Sequence, residues 1–276
     1  MDFIKSVRDK LKDFPRSDAD DILMYVLELT FSELVINDFE ISNKQRTQVN
    51  ELVARRIAGE PTAYLIGKKH FWEYDFKVTK DTLIPRPETE VLVDAVLRKF
   101  KQRSFDEEKI VRILDLGTGS GCILISILKE IQKLGYNVQG VGLDISQGAI
   151  DVARFNAESL GVDGIDFICC DWKNIKEKGF DIIVSNPPYI PTDDVTMLES
   201  CVKDFEPKTA LDGFEDGLEC YRQISVILPK IMKNNSIIAL EHGVGQSAQI
   251  VEIMRGVFES EVVKDLTGKD RIIISK

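Results

Sequence analysis

Histidine is nearly missing from this chain of 276 residues, which carries only His70 and His242. A multi-histidine metal centre is therefore not expected. The five cysteines, Cys122, Cys169, Cys170, Cys201 and Cys220, are odd in number and show no Cys-x-x-Cys spacing. That argues against a disulfide framework or a zinc site and leaves buried, reduced thiols as the reading. No metal is expected. No apolar run approaches the roughly 18–20 residues that span a bilayer. The first five residues open a charged, amphipathic segment and not a signal peptide. A cytoplasmic location with no membrane partner is the expectation. An excess of positive charge is lacking too. Lys and Arg number 36 against 46 Asp and Glu, giving a net charge of −10 and a pI near 4.9. Proteins that hold nucleic acid by its phosphates usually present a basic face. No direct nucleic-acid binding is expected, and the balance points to a protein or small-molecule substrate. Internal repeats and low-complexity segments are also missing.

What is present falls into three stretches. Residues 1–60 read as a small helical bundle. Phe3, Ile4, Val7 and Leu11 recur at helical spacing, and Ile22, Leu23, Val26 and Leu27 repeat the pattern after Pro15. Ser42-Asn43-Lys44-Gln45 fits a capping box. It opens a helix through Val49, Leu52, Val53 and Ile57 that stops at Gly59. No catalytic group stands out there, so the stretch is either a plain bundle or a docking module for a partner. Residues 61–84 change character. Aromatic and β-branched residues at 63–67 and 70–78, with turn residues between, predict a β-hairpin linker. Trp72 reads as hairpin core. Residues 85–276 form the third stretch, opened by Pro85-Arg86-Pro87-Glu88-Thr89-Glu90. Pro87 suits the first position of a helix, and Glu88 and Glu90 complement its positive end. This segment either simply starts a helix or lies over a neighbouring pocket.

From residue 110 strands and helices alternate. Strands are predicted at 111–114, 138–143, 165–169, 180–185 and 236–240, and a closing hairpin pairs 257–263 with 271–275. The alternation predicts a parallel sheet covered on both faces, and the hairpin predicts one antiparallel edge strand.

Chemistry gathers at the strand ends. Gly117-Thr118-Gly119-Ser120-Gly121 follows the first of these strands and Asp115. Such glycines let backbone pass close to a ligand, though spaced glycines also fit a dinucleotide fold. Asp144 ends the second strand and is suited to the hydroxyls of a ribose. Asp171-Trp172 ends the third, an acceptor and a ring suited to adenine. Asn186-Pro187-Pro188-Tyr189 ends the fourth. Two consecutive prolines remove two N–H donors and stiffen the turn, leaving one amide and one ring at the strand's end. Together these residues describe a ligand crevice at the carboxyl edge of an open sheet. The turn by itself does not distinguish a glutamine side chain from a nucleobase amino group as the group it holds. A non-catalytic cofactor binder would have no use for the turn, and a nicotinamide dehydrogenase would need a proton donor that is not evident.

Residues 110–276 resemble a seven-stranded, Rossmann-like, class I S-adenosylmethionine-dependent methyltransferase. The Asn-Pro-Pro-Tyr turn resembles that of enzymes that methylate planar nitrogens. The residues 83–90, 115–123, 186–190, Glu206-Pro207 with Ala210-Leu211, and Asp216-Gly217-Leu218 with Tyr221-Arg222 are similar to the HemK/PrmC family. The resemblance implies an α/β methyltransferase domain joined by a β-hairpin to a small amino-terminal helical domain. It implies S-adenosyl-L-methionine as cofactor and class I peptide chain release factors as partners. The reaction implied is N5 methylation of the glutamine in their Gly-Gly-Gln motif, in support of translation termination. Gly117, Thr118, Gly119, Ser120 and Gly121 would follow the methionine part of the cofactor, Asp144 the ribose, and Asp171 and Trp172 the adenine. Asn186 and the Pro187 carbonyl would accept the two N–H bonds of the substrate amide, with Asn186 also beside the cofactor. Pro188 would help form the substrate site, and Tyr189 would pack on the amide plane. One departure is visible: Gly213-Phe214 stands where the family usually pairs two glycines.

Overall fold

The structure, a computed structural model, describes residues 2–36, 39–103 and 110–276. The chain divides into two compact units, Met1–Lys68 with Glu199–Phe205, and Lys69–Leu198 with Glu206–Lys276.

The first unit is helical: α1 (Asp2–Lys10), α2 (Arg16–Leu27), α3 (Phe31–Ile36), α4 (Asn43–Ile57), α5 (Thr62–Ile66) and a short helix Ser200–Lys203. Its core comes from apolar residues three and four apart, among them Ile4 and Val7 on α1 with Leu11 just beyond it, Ile22 and Leu23 on α2, and Val49, Leu52 and Val53 on α4. The capping box forms as its sequence suggests. Gln45 N donates to Ser42 Oγ at 3.3 Å and Ser42 N donates to Gln45 Oε1 at 3.0 Å. A buried ion pair, Arg56 Nε to Asp18 Oδ2 at 2.6 Å, ties α4 to α2. Residues 62–66 differ from the strand expected there. Pro61 supplies a helix-compatible start, Leu65 buries into the helical core, and Gly67 at φ 72° ends the turn. Aromatic and β-branched content was outweighed by that tertiary burial.

In the second unit the hairpin is confined to β1 (Lys68–Phe71) and β2 (Tyr74–Lys77). Its Phe71 and Phe76 are buried and meet edge-on, 6.1 Å between centroids. A 3-10 turn, Pro87–Thr89, leads into α6 (Glu90–Gln102). There follow β3 (Val111–Leu116), α7 (Cys122–Lys133), β4 (Val138–Asp144), α8 (Gln147–Ser159), β5 (Ile165–Cys169) and β6 (Phe180–Ser185). Helix Glu219–Ile231, β7 (Met232–Glu241), helix Ser247–Ile253, β8 (Ser260–Lys264) and β9 (Asp270–Ser275) complete the unit. The seven-stranded sheet runs β5-β4-β3-β6-β7-β9-β8. Neighbouring strands from β5 to β7 are parallel, with Leu116 opposite Leu143 on one side and Ser185 on the other.

Both faces of the sheet are buried, and strand residues alternate between two cores. Ile113, Ile182, Val184, Ile237 and Ala239 pack under α6, α7 and α8. Leu114, Ile183, Ile238 and Leu240 pack under the helices Glu219–Ile231 and Ser247–Ile253. This is why the strands read as unbroken apolar runs. The antiparallel strand is β9, and it does not lie at the edge as expected. It sits between β7 and β8. Ile272, Ile273 and Ile274 of β9 are fully buried, whereas β8 carries Glu261 and Lys264 in exposed positions. The apolar strand takes the inner place and the charged one takes the edge, where charge discourages further pairing. Among the described residues no helix is long and apolar enough to cross a membrane.

Candidate active site

The first three strands of the second unit's sheet step in one direction, β3 to β4 to β5, and β6 then returns to the other side of β3. The crevice beyond the carboxyl ends at such a reversal is the usual ligand position in open α/β sheets. A cleft of about 900 Å³, mouth included, lies there. Gly117, Thr118, Gly119, Ser120, Asp144, Trp172, Asn186 and Pro188 line it. So do Asp81, Leu83, Pro85, Arg86 and Thr89 from the segment before α6, and Pro207, Thr209 and Ala210. Gly121, Asp171, Pro187 and Tyr189 are not among the lining residues.

The glycine loop is drawn against the end of β4. The Gly117 and Thr118 N–H groups both donate to Leu143 O, at 2.9 and 2.8 Å. Gly117 and Gly119 hold φ of 76° and 54°, which L side chains adopt only at a cost. Gly121 stands behind the wall, where an added Cβ would meet Ile125 and Ala153. Asp144 accepts from Gly119 N and Ser146 N, 2.9 Å each, one on each carboxylate oxygen. A carboxylate has about four acceptor sites, so lone pairs remain for ligand hydroxyls. Burial pushes its pKa up, against those two backbone N–H groups. Trp172 packs partly buried against the second core and donates its indole N–H to Gln223 Oε1 at 3.2 Å. Asp171 accepts from Lys173 N at 2.8 Å and so caps the 3-10 turn that carries Trp172.

Beneath the glycine loop Asp115 is completely buried. Its Oδ2 accepts from Thr118 Oγ1 at 2.8 Å, and Oδ1 has no partner among the described residues. Burial raises its pKa to about 7, aided by the charge of Asp144 and opposed by the Thr118 hydrogen bond. An unpartnered buried carboxylate oxygen calls for a donor or a cation. The loop, the ribose-type acceptor on Asp144, the indole and this orphaned oxygen together fit an amino-acid nucleoside bearing an ammonium group.

The roof is strapped by a residue to which the sequence assigned no role. Glu206, with its side chain buried, accepts from Ile84 N at 3.1 Å and pairs with Arg86. It thereby joins the 81–86 wall to the 207–210 wall.

The Asn-Pro-Pro-Tyr turn sits at the end of β6. Asn186 donates from Nδ2 to Thr89 Oγ1 at 3.2 Å. Pro187 is buried. Tyr189 lies with the second core, its ring close against Gly243, where an added Cβ would come within 3.1 Å. Burial pushes its hydroxyl up to about 12. The turn's backbone is fixed from the 211–217 loop. Ile190 N donates to Leu211 O, Gly213 N donates to Ile190 O, and Gln246 Nε2 donates to Tyr189 O at 2.9 Å.

Sequence reasoning also missed Glu241, at the end of β7. It is 1% exposed. Burial lifts its pKa to about 7, opposed by the polar groups of Thr89 and Asn186 nearby and by the charge of Arg271. Oε2 has no partner among the described residues. The signal was available, because Glu241 ends an apolar strand as Asp144 does. Its neighbour His242 is buried, and Nδ1 lies 2.7 Å from Gly243 O. A carbonyl only accepts, so that nitrogen carries the proton, and burial keeps the ring neutral by lowering its pKa.

Comparison with known proteins agrees with this architecture. Residues 3–67 match the PrmC N-terminal domain and residues 107–271 a methyltransferase domain. A release factor glutamine methyltransferase of Caulobacter vibrioides is 37% identical over 98% of this chain and 93% of that protein. One of Thermodesulfovibrio yellowstonii is 38% identical over 99% of this chain and 96% of that protein. Among solved structures, the human methyltransferase 10 domain containing protein superposes with a TM-score of 0.51 at 16% identity, covering 73% of this chain and 88% of that one. At that identity the likeness bears on the fold alone.

Proposed function

The chain belongs to the release factor glutamine methyltransferase family, and on that premise we propose that it methylates the side-chain nitrogen (N5) of the glutamine in the Gly-Gly-Gln motif of class I peptide chain release factors. The cofactor is S-adenosyl-L-methionine, which supplies an electrophilic methyl group on a positively charged sulfur. The observation that carries the reading is that Asn186 and Pro188 line the same cleft as the glycine loop and Asp144. A planar nitrogen held at the turn would face a methyl donor held by the loop.

In this reading residues 117–121 follow the methionine part, and the Asp115 carboxylate below them offsets its ammonium charge. Asp144 takes the ribose hydroxyls. Trp172 covers the adenine, and Asp171 acts through the turn that carries it. Asn186 Oδ1 and the Pro187 carbonyl accept the two N–H bonds of the substrate amide. An amide nitrogen is a poor nucleophile because its lone pair is delocalised into the carbonyl. Two acceptors set away from ideal planarity draw the N–H bonds toward a pyramidal arrangement and expose that lone pair. Alignment in the cleft makes the encounter effectively intramolecular. Tyr189 stays protonated well above neutral pH and serves as a packing surface for the amide. Alkylation makes the remaining N–H far more acidic, so a strong general base is not required. The helical first unit serves to dock the release factor, and the reaction takes place in the cytoplasm.

Mass spectrometry of the Gly-Gly-Gln peptide from a release factor incubated with this protein and cofactor tests the reading. A gain of one methyl on the glutamine is expected. Labelling of DNA or RNA in place of the release factor would overturn it. Asn186→Ala is expected to reduce kcat by on the order of 10²-fold or more, the scale for one preorganised polar contact. Near-normal turnover of this variant at saturating substrate would remove the amide clamp.

A further inference from the structure

Pro187 and Pro188 carry no backbone N–H, so at these two residues the turn has only carbonyl oxygens to offer its surroundings. Donors that hold it must come from elsewhere in the fold. Gln246 supplies one. Its Nε2 donates to Tyr189 O at 2.9 Å and to Gly217 O at 3.4 Å, and its Oε1 accepts from Gly243 N at 2.9 Å. One half-buried amide thus ties three separate stretches: the Asn-Pro-Pro-Tyr turn, the 211–217 loop and the loop after β7.

The direction of this tie is fixed. A backbone N–H only donates and a carbonyl only accepts, so a reversed amide would lose all three bonds at once. The space around it is filled as well. A Cβ on Gly217 would run into Tyr189 O and stand 2.7 Å from Gln246 Nε2. One on Gly243 would stand 2.9 Å from Gln246 Oε1 and 3.1 Å from the Tyr189 ring. Gln246 also occupies the N-cap position of the helix Ser247–Ile253, yet among the described residues its side chain makes no capping bond. Cap positions favour short side chains that reach the N–H groups of the first turn. A longer amide directed away from the helix gives up that local bond and reaches the Asn-Pro-Pro-Tyr turn instead.

We propose that Gln246 is a positioning residue for methyl transfer: it holds the Tyr189 carbonyl, and through that backbone the Asn186 and Pro187 acceptors, at the angle the substrate nitrogen requires. This rests on the reading of the turn as the substrate clamp. The three side-chain bonds end on Tyr189, Gly217 and Gly243, all outside the glycine loop. The effect of Gln246 therefore falls on the transfer step and not on cofactor affinity. Misplacing a reacting group by about 1 Å costs on the order of 10²-fold in rate.

The test uses the full-length protein and two variants. Gln246→Met keeps the length of the side chain and loses the amide. Gln246→Glu, ionised at pH 8, still accepts from Gly243 N but cannot donate to Tyr189 O or Gly217 O. Both are expected to lower kcat roughly tenfold or more. The cofactor Kd and the KM for the release factor should stay within about twofold of wild type. Amide hydrogen exchange followed by NMR reads the turn directly. The Ile190 and Gly213 amides, which donate to Leu211 O and Ile190 O, should exchange roughly tenfold faster in both variants. The Gly243 amide should exchange faster in Gln246→Met alone, since the glutamate keeps that bond. Turnover of Gln246→Glu within about threefold of wild type, unchanged exchange at Ile190, or a cofactor Kd that rises in step with the loss of kcat would overturn the proposal. The exchange experiment needs no methyl acceptor. If the wild type methylated no release factor, the proposed function would fall, while exchange at Ile190 still decided whether Gln246 holds the turn.

Discussion

Asp115 shows how one side chain can work against the fold and for the ligand. Its carboxyl is wholly buried with one oxygen unpartnered, and its pKa rises from 3.8 to about 7 in the folded chain. Between these values the folded state binds more protons than the unfolded one, so stability falls as pH rises through that window. The cost of ionising this group by pH 8 is at most about 4 kcal/mol. Asp115→Asn should therefore raise the melting temperature of the cofactor-free protein at pH 8. The advantage should shrink on acidification to pH 5.5, where the native carboxyl is already protonated. On the proposed placement of the ammonium above Asp115, the same variant should bind S-adenosyl-L-methionine less tightly at pH 8, because the opposing charge is gone. Thermal melts and calorimetry at the two pH values check this, and a variant that melts lower than wild type at pH 8 would sink it.

Among the elements, the loop at 211–217 has the narrowest tolerance. It lies on the backbone of the Asn-Pro-Pro-Tyr turn. A Cβ on Gly213 would stand 2.8 Å from Tyr189 Cα and 2.9 Å from Pro188 O, and backbone atoms cannot swing aside as a side-chain tip does. Phe214 next to it is half exposed and holds φ 69°. This left-handed conformation accounts for the second glycine that the family usually has here. The two positions should respond in opposite ways. Gly213→Ala should displace the turn and lower kcat at least tenfold. Phe214→Gly relieves a conformation that costs a non-glycine residue about 1 kcal/mol, offset by the added freedom of the unfolded chain. Its melting temperature should not fall. Paired melting and kinetic measurements decide it, and a Phe214→Gly variant several degrees less stable than wild type would contradict the account.

For the whole molecule, the cleft and the exposed apolar side chains of α3 belong to different units. Every residue lining the cleft comes from the second unit. The first unit exposes apolar side chains on α3. Phe31 and Val35, one turn apart, are 58% and 60% exposed. Exposed apolar groups at adjacent positions suit contact with another protein. Replacing both with Asp should raise KM for the release factor at least several-fold and leave cofactor affinity unchanged. A rise in the cofactor Kd, or an unchanged KM, would remove α3 from the docking surface.

Much of this was open to reading from the chain alone. Alternating strands and helices, the capping box at Ser42 and the ligand-bearing strand ends at Gly117, Asp144 and Asn186 are local patterns. They follow from turn chemistry and from apolar periodicity within a few residues. Strand order was not legible in the same way. Whether β8 or β9 takes the inner place depends on which strand buries more apolar surface against the rest of the sheet, and Ile272, Ile273 and Ile274 decided it. The segment 62–66 became a helix because the first unit's core took Leu65. The polar contacts that define the site join residues far apart in sequence. Asn186 meets Thr89 across 97 positions and Glu206 meets Ile84 across 122. Such pairs form only when packing brings two strand ends and a loop together, and burial then makes each unpaired polar group costly. The sequence by itself determined the kind of fold and the residues at the cleft's edge. Only the tertiary structure decided which buried neighbours orient them.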